Sequence, residues 1–210
     1  MLDRRTHRWF ARYWNWQLRS ENDQFIAMRR DVASGAGGRV LEVGCGPGSN
    51  FQHYGRSLSQ LVALDPNPYM LGIARTKTMA QGRAALIRGK VEALPFKDGA
   101  FATVVSTANF CSVGHPENGL AEIRRVLQPG EEYRFFDHVR SEDSRALAFF
   151  QDAITPIHRR LLGAGCRPNR RIGHLVAAAG FSSLQAEMRK PLPVIPMAIY
   201  RPHIIGVARR

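Results

Sequence analysis

Two short segments decide the fold of this chain, Arg39-Val-Leu-Glu-Val-Gly-Cys-Gly-Pro-Gly48 and Leu61-Val-Ala-Leu-Asp65-Pro-Asn67. The first is an apolar run that leads straight into three glycines at alternate positions, and the second is an apolar run that ends in an acid. Such runs predict buried strands, and glycines directly after a strand let the backbone approach a ligand closely. A carboxylate at the end of the next strand can accept hydrogen bonds from ribose hydroxyls. The two segments therefore predict an α/β fold that binds an adenosyl ligand.

The glycine loop differs from the dinucleotide fingerprint G-x-G-x-x-G, whose third glycine lets helix and strand pack closely. That position is Ser49 here, the third glycine is Gly48, and an acid, Glu42, precedes the loop. Without a ligand, the segment 65–68 would be an ordinary turn built from turn-forming residues. That alternative leaves the glycines and Glu42 unexplained, so an adenosyl ligand other than a dinucleotide is favoured.

Helical and strand patterns alternate along the chain, which predicts a doubly wound, mostly parallel sheet of seven strands with helices on both faces. The predicted strands are residues 40–43, 61–64, 84–88, 101–107, 132–136, 184–189 and 204–208. The predicted helices are residues 3–33, a helix that begins at 50–54, and residues 70–81, 117–127, 141–162 with a break or bend near Pro156, and 171–179 with a cap at Gly180.

Residues 1–36 are predicted to form an N-terminal helical cap or lid. Residues 37–210 are predicted to form the ligand-binding domain, with a helical cap insertion at about 141–179. Phe10, Tyr13 and Trp14 fall near helical spacing in the first segment. This aromatic stripe predicts packing against the domain, a lid over a substrate, or an amphipathic helix at a membrane interface.

Composition bounds the chain to one domain with a substantial core, since it has 210 residues and 44% hydrophobic content. Three cysteines spread along the chain predict neither a disulfide framework nor a zinc cluster, and a reducing cytoplasm is the expected compartment. No run approaches 18 apolar residues, and the N-terminus lacks the apolar core of a signal peptide, so no transmembrane or targeting segment is expected.

The net charge of +13 is concentrated at the two ends of the chain. Residues 1–30 carry a net charge of +4 and residues 140–210 a net charge of +8, whereas the residues between them carry +1. Basic flanks around a neutral core indicate an anionic partner, such as an acidic small molecule, a phospholipid head group, a peptide carboxylate or nucleic acid. The alternative is an arginine-rich composition with no such partner.

Further segments resemble successive signatures of the "type 11" class I methyltransferase domain. They are Val91-Glu-Ala-Leu-Pro-Phe, Phe101-Ala-Thr-Val-Val-Ser, Leu120-Ala-Glu-Ile-Arg-Arg-Val-Leu-Gln-Pro-Gly130 and Gly180-Phe181. Three local features resemble, more narrowly, the alkyl thiol methyltransferase-like subgroup and its bacterial relatives. They are Phe110-Cys-Ser-Val113, Phe136-Asp-His-Val139 and Arg201-Pro-His-Ile-Ile-Gly206. The resemblance implies a Rossmann-like fold and S-adenosyl-L-methionine (SAM) as the cofactor, with S-adenosyl-L-homocysteine as its product.

The resemblance also implies which residues contact the cofactor. Glu42 would face the methionine ammonium, the glycines would pass under the sulfonium, and Asp65 would hold the ribose. The full set expected at the cofactor is Glu42, Gly44, Cys45, Gly46, Gly48, Asn50, Asp65, Pro66, Asn67, Met70, Val91, Glu92, Thr107, Ala108 and Cys111.

Two positions depart from the family pattern. The acid that often accepts the adenine amino group is Lys90 here. Lysine has no acceptor, so Glu92, a backbone carbonyl or water would have to replace it, or the contact is absent. The usual Pro-Gly-Gly is Pro129-Gly130-Glu131, so we expect a changed turn or modest strain at Glu131, where a glycine would supply positive φ.

His138 is the candidate general base, because it follows the fifth predicted strand, whose end faces the ligand crevice. Asp137 is expected to orient His138 or to contact substrate. The residues expected near the acceptor are Tyr13, Trp14, Asn109, Phe110 and His158. For Cys111 the alternative to cofactor contact is a small buried apolar residue. The histidines lack metal-ligand spacing, and no metal is expected.

Together these observations predict methyl transfer to a thiol, hydroxyl or amine of a small or amphiphilic acceptor, including anionic ones. The sequence disfavours nucleic acid as partner, because neither an RNA module nor a motif for base amines is present, and it leaves open peripheral contact with a membrane. The alternatives are methylation of a peptide or RNA, and a SAM-binding module without catalysis. The acceptor itself is not encoded in any motif.

Overall fold

The computed structural model describes residues 8–19, 21–81, 84–159, 165–191 and 198–210, and helices and strands alternate along them. The helices are α1 (Arg8–Leu18), α2 (Asp23–Ser34), α3 (Pro68–Gln81), α4 (Pro116–Val126), α5 (Arg145–Ile157) and α6 (Ile172–Ala178). The strands are β1 (Gly38–Val43), β2 (Leu58–Asp65), β3 (Ala84–Arg88), β4 (Phe101–Thr107), β5 (Leu127–His138), β6 (Ser183–Arg189) and β7 (His203–Arg209).

The seven strands form one sheet in the order β3-β2-β1-β4-β5-β7-β6. Neighbouring strands from β3 to β5 are parallel, and β7 runs antiparallel to both β5 and β6. The predicted seven-stranded, mostly parallel α/β sheet is therefore confirmed. The chain leaves β1 toward β2 and returns through β4 on its other side, so a crevice opens at the carboxyl ends of β1 and β4.

Helices cover both faces of the sheet, because successive side chains of each central strand point to opposite faces. On one face Leu41, Val104 and Phe135 pack in a core that includes apolar residues of α4 and α6. On the other face Val40 and Phe136 pack in a core that includes apolar residues of α2 and α3. The central strands are thus buried on both faces, as their nearly continuous apolar sequence predicts.

The prediction of one helix over residues 3–33 is wrong within the described residues. The chain breaks between α1 and α2, where the side chain of Asn22 accepts a hydrogen bond from the Phe25 amide and so caps α2. Asparagine favours this N-cap geometry over a helix interior, and the apolar periodicity on either side concealed the break. The predicted residues 3–7 lie outside the described ranges.

The predicted helix after β1 is also wrong, since residues 51–53 form only one 3₁₀ turn before the chain enters β2. The predicted helix over 141–162 is α5, and its last residues, 160–162, lie outside the described ranges. The expected strain at Glu131 does not arise. Gly130 takes the positive φ of +80°, and β5 begins at Leu127 and runs through the turn.

Candidate functional site

A cavity of about 330 Å³ opens at the carboxyl ends of β1, β2, β4 and β5, and residues of α1 and α2 form one of its walls. The predicted site residues that line it are Trp14, Gly44, Cys45, Gly46, Asp65, Pro66, Asn67, Met70, Val91, Glu92, Thr107, Ala108, Asn109, Cys111 and His138. The predicted residues absent from its wall are Tyr13, Glu42, Gly48, Asn50, Phe110, Asp137 and His158. Most of the predicted set is therefore brought together in one place.

Gly46 lies in the glycine loop where that loop borders the cavity. Its φ is +54°, a conformation that favours glycine. A Cβ at this position would meet no protein atom within 4 Å, so neighbouring side chains do not require the glycine. The space beside it is open to a ligand, which fits the close backbone approach expected from the sequence.

We expect Gly46→Ala to weaken SAM binding at least about 10-fold, because the new methyl group would take up space at the cavity wall. The left-handed conformation should also cost about 1 kcal/mol of folding free energy. Gly130→Ala is the matched control, since Gly130 has positive φ and open space but does not line the cavity. Calorimetric titration should show weakened SAM binding in Gly46→Ala alone. Equal SAM affinities for the two variants would contradict a close approach of the ligand to Gly46.

Asp65 joins the ends of β1 and β2 across the cavity rim. Its Oδ2 accepts a hydrogen bond from the Gly46 amide at 2.9 Å, and its Oδ1 accepts one from the Asn67 amide at 2.8 Å. The side chain of Asn67 in turn accepts from the amides of Tyr69 and Met70 at the start of α3. The carboxylate thus holds the glycine loop in shape as well as bordering the cavity.

A buried polar network lies behind the glycine loop and contains Glu42. The Glu42 carboxylate accepts hydrogen bonds from Asn50 Nδ2 at 3.0 Å and from the Tyr54 hydroxyl at 2.8 Å. Asn50 Oδ1 accepts from Arg29 at 3.1 Å, and Arg29 also donates to Thr107 Oγ1 at 3.0 Å. Glu42 is therefore held by protein groups and is absent from the residues that line the cavity, and its contact with the methionine ammonium stays a prediction.

Arg29 is one of the site residues that the sequence did not predict. It lines the cavity, is 6% exposed, and forms a two-point ion pair with Glu21 at 2.6 and 2.7 Å. Glu21 lines the cavity as well, so a cation and an anion stand together at its wall. No local motif marks either residue, because the contacts to Asn50 and Thr107 span 21 and 78 positions of sequence.

Burial raises the pKa of Glu42 to about 7, against the opposing hydrogen bonds from Tyr54 and Asn50. In the unfolded chain an ordinary glutamate has a pKa near 4.5. Between these two values the folded protein holds a proton that the unfolded chain has lost. The contribution of Glu42 to stability is thus fully present below pH 4.5 and is lost as pH rises through about 7.

We therefore expect the ligand-free protein to lose stability relative to Glu42→Gln by about 3 kcal/mol between pH 4.5 and pH 8. The neutral variant cannot release a proton, so the difference between the two unfolding curves isolates this group. Urea denaturation across that pH range would measure it. Parallel curves for the two proteins would show that Glu42 has an ordinary pKa.

Three side chains from separate segments meet at the end of the cavity bordered by β4 and β5. Cys111 follows β4, His138 ends β5, and Cys166 lies between α5 and α6, and all three are buried. His138 Nε2 lies 3.1 Å from Cys166 Sγ. The sequence predicted no zinc cluster and no metal-ligand spacing among the histidines. The three side chains nevertheless lie together, because distant positions converge when the sheet forms.

The charges of this group are coupled. The hydrogen bond with Cys111 and the charge of His138 hold the pKa of the Cys166 thiol well below its ordinary value, although burial opposes this. The same hydrogen bond, together with burial, raises the pKa of Cys111. Burial disfavours protonation of His138, but Cys166 and Asp137 outweigh it, and the pKa of His138 is raised. Cys166 is therefore the more acidic thiol of the two, and its interaction with His138 favours the charged forms of both groups.

Asp137 and His158 stand behind this group instead of lining the cavity. Asp137 Oδ2 accepts hydrogen bonds from the amides of Asn109 and Cys111 at 2.9 and 3.2 Å. His158 Nδ1 donates to the Cys166 carbonyl at 3.2 Å, so its Nε2 is the acceptor for the Tyr200 hydroxyl. Both side chains position the backbone that carries the two cysteines.

Some buried polar atoms have no hydrogen-bond partner among the described residues, and two of them belong to cavity-lining side chains. These are Trp14 Nε1 and His138 Nδ1. Ala108, also at the wall, is the non-glycine residue with positive φ, at +50°, in the described part of the chain. Unpaired buried groups and strained backbone are both costly, and they concentrate where a ligand binds.

The adenine end expected from the sequence contains Lys90 and Glu92, and both line the cavity. Glu92 Oε1 accepts hydrogen bonds from the amides of Gly114 and His115 at 3.1 and 3.5 Å. Its carboxylate is thus engaged in holding the loop after β4.

Within the described ranges, every helix falls short of the length and apolar character needed to cross a lipid bilayer.

Comparison with known proteins places this geometry in context. A family profile described as a methyltransferase domain matches residues 41–135. Human thiol S-methyltransferase TMT1B is 36% identical over 183 residues, which are 83% of this chain and 72% of that protein. Human thiol S-methyltransferase TMT1A is 32% identical over 206 residues, which are 95% of this chain and 82% of that protein.

Solved structures show the same fold. Haemonchus contortus phosphoethanolamine N-methyltransferase 2, in complex with S-adenosyl-L-methionine, matches with a TM-score of 0.66 at 14% identity. The match covers 90% of this chain and 52% of that chain. At this identity the likeness concerns the fold alone.

Proposed function

This chain belongs to the SAM-dependent class I methyltransferases, and we propose that it transfers a methyl group to the sulfur of a small apolar or amphiphilic thiol. One observation carries the proposal. A single cavity extends from the glycine loop, around Gly46, to the buried pair of His138 and Cys166. A donor held at the first end would face an acceptor held at the second.

The residues at the loop end fit SAM. Gly46 leaves open space for a close backbone approach, and Asp65 offers a carboxylate at the end of β2 where ribose hydroxyls are expected. Arg29 and Glu21 place opposite charges at the wall, which complement the carboxylate and the ammonium of a methionine group. We assign to this pair the role that the sequence analysis gave to Glu42.

The residues at the other end fit a thiol. Phe10, Trp14 and Phe25 of the N-terminal helices line the cavity and favour an apolar acceptor body. A thiol needs only a nearby cation that favours its thiolate, whereas a hydroxyl needs a true general base. His138 lies at this end of the cavity, and its contacts with Cys166 and Asp137, which raise its pKa, favour the protonated form. The two human relatives named thiol S-methyltransferases support the same acceptor class.

When bound, SAM supplies a methyl group on a sulfonium that is already a strong donor. The protein then contributes mainly position and exclusion of water. Asp137 holds the loop that carries Cys111, the N-terminal helices cover the cavity as a cap, and His138 stabilises the acceptor thiolate.

Trp9 and Trp16 of α1 are 51% and 61% exposed, and we propose that they contact an amphiphilic acceptor or the membrane in which it is dissolved.

A matched panel of acceptors tests the proposed function. Purified protein with SAM should methylate alkyl and aryl thiols at least about 100-fold faster than alcohols, phenols and amines of the same shape. Near neutral pH a thiol can supply a thiolate as the nucleophile, and the other three acceptors cannot. Release of S-adenosyl-L-homocysteine and the mass of the methylated product are the measurements. Turnover confined to phenols or amines would overturn the choice of thiol, and turnover of none would overturn catalysis on small molecules.

A further inference from the structure

Cys111, His138 and Cys166 form what we call the thiol–imidazole cluster. Each offers one ligand atom, and these atoms all lie within 4.8 Å of one another. The residues are only 3%, 6% and 7% exposed, so the cluster consists of buried side chains and not of surface groups. All three also line the cavity that we assign to methyl transfer.

Two sulfurs and an imidazole nitrogen are the ligands that Zn²⁺ prefers, and hard cations such as Mg²⁺ or Ca²⁺ disfavour them. Tetrahedral zinc has Zn–S bonds of about 2.3 Å and Zn–N bonds of about 2.0 Å, which set ligand atoms about 3.5–3.8 Å apart. The separations in the cluster reach this range with shifts of about 1 Å or less. We propose that the thiol–imidazole cluster is a zinc site with three protein ligands and a fourth position open to the cavity.

The backbone around the cluster is fixed, as a metal site requires. The amide of Arg167 donates to the Cys111 carbonyl at 2.9 Å, which ties the segment carrying Cys166 to the loop after β4. The guanidinium of Arg170 is buried and donates to the carbonyls of Phe110 and Val113 on either side of Cys111. These bonds hold both cysteines against the end of β5 before any ligand arrives.

The fourth position defines the chemistry of the site. Among the described His, Cys, Asp and Glu residues, the group comprises these three alone. Structural zinc sites usually have four protein ligands, whereas three protein ligands and an open position are typical of catalytic zinc. The open position here faces the same cavity as Gly46, so its occupant would lie beside the methyl donor.

The role of the metal rests on the proposed function, in which zinc, with His138 as a neutral ligand, takes the place of protonated His138 as the cation beside the acceptor thiolate. The acceptor thiol would release its proton to solvent and bind zinc as the thiolate, which keeps sulfur ionised near neutral pH. A new carbon–sulfur bond then forms to the thiolate, and the bond from that carbon to the sulfonium breaks with its electron pair left on the cofactor sulfur. The product is a neutral thioether, a weaker ligand than the thiolate, and leaves the metal.

Metal content tests the site without any reliance on activity. Protein stripped with a chelator and titrated with Zn²⁺ should bind one equivalent, and Cys111→Ser or Cys166→Ser should each weaken that binding at least about 100-fold. Cys45→Ser is the matched control, because Cys45 is the remaining cysteine of the chain and lies in the glycine loop, outside the cluster. Wild-type protein that takes up no more Zn²⁺ than Cys166→Ser would overturn the proposal.

Titration of the stripped wild-type protein with Co²⁺ keeps the proposal testable if the variants fail to fold. Tetrahedral sulfur and nitrogen ligation should give intense visible bands and sulfur-to-cobalt charge transfer, and their absence would overturn the site. Addition of an alkyl thiol should shift these bands, whereas the matched alcohol should not. A spectrum unchanged by the thiol would overturn the open position.

The zinc site and the proposed function can fail separately. Thiols methylated as fast by the chelator-stripped protein as by the zinc-loaded protein would overturn the metal's role and leave thiol methylation standing. A zinc-loaded protein with intact Co²⁺ bands that methylates no thiol would overturn the proposed function and leave the metal site standing.

Discussion

Replacing Asp65 with alanine is expected to weaken SAM binding at least about 100-fold, which corresponds to about 2.7 kcal/mol of binding free energy. Two effects act in the same direction. The variant removes the carboxylate that we expect to accept hydrogen bonds from ribose, and bonds to a charged group contribute about 1.5–3 kcal/mol. It also strands the amides of Gly46 and Asn67, which this carboxylate now holds at 2.9 and 2.8 Å.

The loss of those two amide contacts should also lower the free energy of unfolding by about 2 kcal/mol. Asp65→Asn separates the two effects, because an asparagine oxygen still accepts from one amide while the negative charge is gone. We expect both its stability and its affinity for SAM to lie between those of the wild type and Asp65→Ala. Asp98→Ala controls for the loss of an aspartate, since Asp98 pairs with Arg125 at an exposed position away from the cavity.

Calorimetric titration with SAM, performed where circular dichroism shows each variant folded, gives the affinities. Asp65→Ala that binds SAM within about 3-fold of the wild type would show that the acid at the end of β2 holds only the loop. An Asn variant as weak as the Ala variant would assign the affinity to the negative charge, and not to the geometry of the loop.

The parts of the site that could be predicted from sequence are those with local causes. The glycines and Asp65 can be recognised within short segments of sequence. Strand ends, turns and the close approach of backbone to a ligand all depend on neighbouring residues. The doubly wound, mostly parallel sheet was predicted from the alternation of helix and strand. Predicted helix boundaries were less accurate where a single residue sets the boundary. Asn22 is such a residue, because its cap interrupts an otherwise continuous apolar pattern.

The rest of the site arises from contacts between distant positions. Cys111 follows β4 and His138 ends the adjacent parallel strand β5, so their proximity could be inferred from topology. Cys166 was not accessible in this way, since the segment between α5 and α6 has no periodic pattern and is placed by bonds such as that from the Arg167 amide to the Cys111 carbonyl. Glu42 lies in its expected strand, and its hydrogen bonds from Asn50 and Tyr54 come from residues 8 and 12 positions away that no motif marks.

Arg29→Met should destabilise the ligand-free protein by about 3–5 kcal/mol, because it removes one partner of a buried ion pair and leaves the other charge uncompensated. Arg29 is 6% exposed and contacts Glu21 through two of its nitrogens, and it also donates to Asn50 and Thr107. Methionine fills the space but leaves the Glu21 carboxylate and Asn50 Oδ1 without this donor, whereas Thr107 Oγ1 still accepts from Asn50 Nδ2. The positive charge that favours ionised Glu42 is lost too, which should raise the pKa of Glu42 further.

Arg30→Met is the matched control, because Arg30 is the next residue of α2 and is exposed. Its effect should stay within about 0.5 kcal/mol, as expected for a surface substitution. Glu21→Gln combined with Arg29→Met removes the stranded carboxylate and should restore about 1–2 kcal/mol. Urea denaturation of the three variants at one pH measures all of these differences.

A comparison of Arg29→Met with Arg29→Lys separates the structural role of Arg29 from a role in cofactor binding. Arg29→Lys keeps the positive charge but loses the planar two-point contact, so its stability should fall between those of the wild type and Arg29→Met. If Arg29 also meets the methionine carboxylate, Arg29→Lys retains measurable SAM affinity, whereas Arg29→Met loses it at temperatures where both are folded. Arg29→Met within 1 kcal/mol of the wild type would show that the Glu21 pair contributes little, and equal SAM affinities in the two variants would assign Arg29 to the fold alone.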